Sequence, residues 1–168
     1  WENLARAAGE LAGCDILIDD TSGMTVTAMK AKLRRVKNLG MVIIDYLGLM
    51  SGDKHTENRV QEVSEISRSL KIMAKELSVP VIALSQLRRI QSKEPTLSDL
   101  RESGAIEQDA DIVLFLYRDG YYNKDSENPN LAECIVAKNR HGETRTVEMQ
   151  WLPEFTTFSD IEWQRQEY

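Results

Sequence analysis

The chain has 168 residues, 42% hydrophobic and 29% charged, with a formal net charge of −6. That balance suits one soluble globular domain with a single sizeable core, and it excludes a protein that coats nucleic acid by bulk charge; any polyanion site has to be a local basic groove. No apolar run reaches the ~20 residues of a membrane helix and no signal-peptide pattern opens the chain, so a cytoplasmic protein with no membrane segment is predicted.

The chain opens on Trp1 rather than Met, and Glu2 to Leu11 already reads as a helix with Leu4, Ala7, Ala8 and Leu11 on one face, as if cut from something longer. Cys14 to Asp20 reads as a strand, Thr21-Ser-Gly23 as a turn, and about Thr25 to Asn38 as a helix stopped near Gly40. Lys30, Lys32, Arg34, Arg35 and Lys37 make this helix the most basic segment. They spread around Val26, Met29, Leu33 and Val36, which favours a solvated outer face over a nucleic-acid surface. Cys14 and Cys134 each fall within an expected strand, with no CxxC spacing and no His pair, and are expected to be reduced core thiols.

Met41 to Tyr46 is an apolar run short enough for a buried strand, and it ends in Asp45. Ligands collect at the carboxyl ends of parallel strands, where a carboxylate can hold magnesium beside a phosphate; a turn or helix-capping Asp is the alternative. A polar loop, Ser51 to Glu57, leads to a long helix with Val60, Val63, Ile66, Leu70, Met73 and Leu77 at helical spacing. Pro80 then starts a strand, Val81 to Leu84, with Ser85-Gln86 at its end. Gln86 should share the rim of Asp45, where its amide can bond a terminal phosphate or attacking water, or else satisfy loop backbone groups. Strands and helices alternating this way predict an α/β fold with a mainly parallel sheet and right-handed crossovers.

Arg88 to Asp99 is a polar, basic-leaning loop, and Gly104 to Asp109 a short helix. Asp111 to Tyr117 reads as a strand, Asp119 to Asn130 as a polar loop, and Leu131 to Ala137 with Arg145 to Leu152 as an antiparallel pair around Gly142. Phe155 and Phe158 suggest one more edge strand, and Ser159 to Tyr168 a frayed tail.

Five stretches in this order carry a specific resemblance: Ile-Ile-Asp45-Tyr-Leu-Gly-Leu-Met-Ser-Gly, Glu62-Val-Ser-Glu-Ile-Ser-Arg-Ser-Leu-Lys71, Ala83-Leu-Ser-Gln86-Leu, Leu97-Ser-Asp-Leu-Arg-Glu-Ser-Gly-Ala-Ile-Glu-Gln-Asp-Ala-Asp111 and Ala137-Lys-Asn-Arg-His-Gly142. Together they resemble the C-terminal motor domain of DnaB-type bacterial replicative DNA helicases, over residues 1–158, with 159–168 left as a tail. The resemblance implies a truncated RecA-like P-loop NTPase core with helices on both faces of the sheet and antiparallel strands at its C-terminal end. Six copies would form a ring around single-stranded DNA, with ATP and Mg2+ between neighbours. By the same resemblance Asp45 positions the magnesium and Gln86 senses phosphate within their own subunit. Lys138 and Arg140 would reach the neighbour's γ-phosphate, Arg140 as an arginine finger; a solvated charged hairpin is the alternative for this pair. Arg101-Glu102-Ser103-Gly104 resembles the loop that meets the DNA backbone, with Gly104 permitting close approach and Arg101 adding donors, while Glu102 orients Arg101 or a neighbouring loop. An ordinary capping segment, with Ser103 as N-cap, is compatible with that role.

These residues contain no G-x-x-x-x-G-K-[ST] phosphate loop, and Gly48-Leu-Met-Ser-Gly52-Asp-Lys54 has the wrong spacing. In the family the phosphate loop and the water-activating glutamate precede this segment, so the fragment is expected to be inactive alone and its function to belong to the full-length parent. Contacts with primase and a helicase loader would lie partly or wholly outside it. Gly48 stands where the family usually has a polar residue, and the loop after Gln86 looks shorter than usual, which puts DNA contacts by Arg88 and Arg89 in doubt. A phosphoacceptor receiver would use Asp19-Asp20, Asp45, Ser85 and Lys138, but only one helix fits between Asp20 and Asp45. Another RecA-like hexameric motor or recombinase gives no reason for the Leu97 to Asp111 stretch.

Overall fold

Strand and helix signals alternate in the first half of the chain, whereas the second half is strand, turn and strand. The computed structural model describes residues 1–53, 56, 58–87, 94–100 and 104–161. In chain order they form α1 (Glu2–Ala12), α2 (Val26–Leu33), β1 (Val42–Ile44), α3 (Arg59–Leu77), β2 (Val81–Ala83), α4 (Gly104–Asp109), β3 (Ile112–Tyr117), α5 (Asp119–Tyr122), β4 (Leu131–Asn139), β5 (Arg145–Leu152) and β6 (Thr157–Ser159). β1 and β2 are a parallel pair joined through α3, and β3-β4-β5-β6 form an antiparallel sheet. The α/β class and the antiparallel C-terminal end stand as expected. Within the described residues, however, parallel pairing is confined to β1 and β2. The chain after β3 carries only the single turn of α5, and the chain after β4 only a tight turn, so both connections reverse direction instead of crossing over.

Capping fixes the helices that carry the core. Thr25 accepts a hydrogen bond from the Ala28 N–H at the start of α2, and Asn58 accepts one from Val60 N–H at 2.9 Å to start α3. Ser78, left-handed at φ 55°, ends α3 just before Pro80. The stripe on α3 buries Val63, Ile66, Leu70 and Met73, the last three packed with Val26, Val42, Ile44, Leu47 and Met50, while Val60 at the helix start stays exposed. A second cluster, Val113, Phe115 and Ile135, packs against Leu87, Leu97, Leu100 and Ala110.

Several expectations are corrected. Cys14 to Asp20 forms no strand and pairs with none among the described residues; Ile16, Leu17 and Ile18 are exposed, as is Cys14, and Cys134 on β4 is half-buried. A strand needs a partner ladder, and none lies beside this segment among the described residues. α2 ends at Leu33 rather than Asn38, because the amides of Arg35 and Val36 turn back three residues, to Lys32 and Leu33, and Asn38 takes φ 55°. β1 and β3 bury one face only: Val42 and Ile44 are covered, Ile43 is 64% exposed, and Leu114 and Leu116 point away from the second cluster. β4 runs on to Asn139, which puts Lys138 on the strand, and Phe155 lies in the turn before β6. Lys54, Arg88, Arg89 and the tail from residue 162 lie outside the described residues.

Candidate functional site

The parallel register pairs Ile44 with Ala83, and Leu84 N–H donates to Ile44 C=O at 2.9 Å. Leu47 N–H returns the bond to Leu84 C=O, also at 2.9 Å. Asp45 and Ser85-Gln86 therefore leave the sheet at the same carboxyl-end rim, where open α/β sheets bind ligands. Both side chains are exposed, and neither makes a hydrogen bond or ion pair to another described residue. No group of three or more His, Cys, Asp or Glu among the described residues is placed to hold a metal ion, so a cation at Asp45 would take its other ligands from phosphate and water, as magnesium does.

The loop after Asp45 is held on two sides. Leu47 and Met50 bury their side chains in the core, and a Cβ at Gly48 would overlap the Tyr46 ring, which accounts for glycine there. Arg59, at the start of α3, donates to the carbonyls of Gly48 at 3.1 Å and Met50 at 3.4 Å and to Glu62 at 2.6 Å; the other Glu62 oxygen accepts from Gly52 N–H at 2.8 Å. Sequence reasoning missed this clamp, although an Arg and a Glu three apart at a helix start is its visible trace.

Lys138 and Arg140 flank the end of β4 and converge on α4. The Lys138 ammonium donates to the carbonyls of Glu107 and Gln108, and the Arg140 guanidinium donates to that of Gln108. Arg140 Nε also stands 3.8 Å from the Asp111 carboxylate, whose other oxygen is paired with Lys71 of α3. The Lys71 ammonium holds the Asp111 carboxyl below its usual range, with Arg140 and His141 adding to the effect. The pair is thus anchored on a helix end rather than being only a solvated hairpin. No hydrogen bond or ion pair among the described residues joins Lys138 or Arg140 to Asp45 or Gln86.

Gly104 opens α4, is exposed, and has open space where a Cβ would stand. Arg101, Glu102 and Ser103 lie outside the described residues. The basic helix is tied down: Lys30 and Arg34 pair with Glu76 of α3, and Lys32 pairs with Asp19 at 2.7 Å. A cavity of about 420 Å³ lies elsewhere, and its lining of Asp119, Asp125, Glu127 and Glu133 would repel a phosphate.

A parallel pair with an acid and an amide on its carboxyl rim, followed by an antiparallel extension carrying two cations, is an arrangement consistent with an α/β RecA-like fold. Residues 1–160 match the family described as DnaB-like helicase C terminal domain, and the chain belongs to that family. It is 55% identical to the replicative DNA helicase DnaB of Geobacillus stearothermophilus and 53% identical to the replicative DNA helicase DnaC of Bacillus subtilis, in each case over 96% of this chain and 37% of the relative. Among solved structures, the ATPase domain of G40P superposes with TM-score 0.89 at 46% identity, covering 96% of this chain and 60% of that one. A DnaB-like replicative helicase studied with its interactions with primase gives the same score and identity, over 41% of its length. The chain thus spans little more than a third of the curated relatives it matches. The receiver reading falls with this assignment, and the Asp19-Asp20 segment forms no strand that would bring it to the Asp45 rim.

Proposed function

We propose that this chain is the C-terminal portion of the motor of a replicative DNA helicase, an ATP hydrolase that forms a hexameric ring, moves along single-stranded DNA and separates the duplex ahead of it. The observation that carries the reading is the shared rim of Asp45 and Gln86, in a chain whose curated relatives are replicative helicases. Asp45 would hold Mg2+ directly or through water, and the bound ion would neutralise charge on the ATP phosphates. Gln86, one strand over, is placed to bond a terminal phosphate or the attacking water. Arg140 and Lys138, which bond α4 and not the rim, serve the nucleotide of the neighbouring subunit. Arg101, Glu102 and Gly104 belong to the segment that meets the DNA backbone, where contact positions a strand without reading its bases. Primase and a loader are expected partners of the whole protein; one of the similar structures is described with its interactions with primase.

In the full-length protein, Asp45→Ala should abolish magnesium-dependent ATP hydrolysis and unwinding while rings still form by sedimentation. Hydrolysis at the wild-type rate in that variant would overturn the reading. The 168 residues alone, having no phosphate loop, should not turn over ATP.

A further inference from the structure

Asp111 occupies a position that the assigned roles do not use. It lies one residue before β3, and its carbonyl accepts the Arg140 N–H at 2.9 Å, which locks the start of β3 to the turn that carries Arg140. Its carboxylate faces a cation on each side. Lys71 pairs with one oxygen, and Arg140 Nε stands 3.8 Å from the other. Lys71 is fixed to α3 between the buried Leu70 and Met73, so the acid is referenced to the main core and not to the hairpin. The Arg140 separation is longer than a hydrogen bond, so Asp111 biases the guanidinium by charge without gripping it.

We propose that Asp111, anchored by Lys71, is a positioning residue that sets where the Arg140 guanidinium stands before it meets a neighbour's phosphate. The proposal rests on the reading of Arg140 as a finger acting in trans. A finger works only if its donors arrive in the right place, and small misplacements are costly because the stabilisation is geometric. Arg140 hangs on the turn after β4 and is 47% exposed, so its own packing does not fix it. The carboxylate holds it on one side and the Gln108 carbonyl on the other. Both holds can be released without breaking a charge-to-charge hydrogen bond. Lys71 shares the Asp111 carboxylate with Arg140, which keeps Arg140 from being its only partner.

The test is made in the full-length hexamer, measuring kcat and KM for DNA-stimulated ATP hydrolysis. Asp111→Asn should lower kcat by roughly 10- to 100-fold and leave KM within about twofold, because misplaced donors act on the transition state. Asp111→Glu should recover much of that loss. A packing role gives the reverse order, since Asn is the closer fit in shape. Lys71→Gln, which loosens the same carboxylate from the other side, should also reduce kcat and covers the case in which Asp111→Asn does not assemble. Wild-type kcat in Asp111→Asn or Lys71→Gln, with Arg140→Ala inactive, overturns the positioning role and leaves the finger standing. Full activity in Arg140→Ala removes the finger, and the positioning role with it.

Discussion

Arg140 donates a guanidinium hydrogen bond to the carbonyl of Gln108, in the last turn of the helix that Gly104 opens. Lys138 bonds the same helix end. The two cations proposed to reach a neighbour's nucleotide therefore bond the same helix, α4, that begins at Gly104 of the segment proposed to meet DNA. A shift of α4 on binding DNA would move the carbonyls that hold both cations.

The DNA role of that segment predicts a uniform effect. Arg101→Ala in the full-length protein should weaken single-strand binding similarly for every base sequence and reduce the salt slope by roughly 0.7, the share of one phosphate contact. Gly104→Val should weaken binding too, by obstructing close approach from outside, and should leave the fold intact because a Cβ at Gly104 meets nothing. Titrations at several salt concentrations check both. An unchanged slope for Arg101→Ala would make the segment a cap only.

The Arg59 clamp predicts a loss of stability. Arg59→Ala removes donors to the Gly48 and Met50 carbonyls and the cation paired with half-buried Glu62, and should cost about 1–2 kcal/mol in urea unfolding. Arg59→Lys should recover only part of this, since an ammonium cannot reach the carbonyls and the acid together as the forked guanidinium does. It should also loosen the loop that follows Asp45, seen as faster amide exchange at Gly52.

What was legible in the sequence follows from how each feature is encoded. The α3 stripe and the strand ends at Asp45 and Gln86 are local patterns, readable because helix period and strand length sit within a few residues. The fate of Cys14 to Asp20 was not legible. Its Ile-Leu-Ile run has the composition of a strand, but pairing depends on a neighbour that the run itself does not specify. The anchoring of Lys138 and Arg140 was equally hidden, because the acceptors are main-chain carbonyls of Glu107 and Gln108, and a carbonyl leaves no mark in a residue alphabet. Asp111 stood inside a quoted stretch, yet its pairing with Lys71 links positions far apart in the chain and emerges only from packing α3 against α4.

Glu133 gives the pH prediction. Burial raises its pKa, with Glu94, Glu148 and Asp119 repelling the charged form further. A carboxyl whose folded pKa lies above its unfolded value favours folding when protonated, and that contribution is lost as pH rises through the folded value. Glu133→Gln should therefore raise Tm at pH 7, and the gain should vanish as pH falls below the ordinary glutamate range. Calorimetry of both proteins across that range checks the sign. A variant less stable at pH 7 would contradict it.

The central claim is that each nucleotide site is built from two subunits, with Asp45 supplied by one and Arg140 by the next. Mixing full-length Arg140→Ala subunits with Asp45→Ala subunits tests it directly, because mixed rings would contain some interfaces with both residues intact. Each variant alone should form rings without DNA-stimulated ATP hydrolysis, and the mixture should regain part of the wild-type rate. Wild-type hydrolysis by Arg140→Ala alone, or mixed rings that assemble and stay inactive at every ratio, would contradict a finger acting in trans.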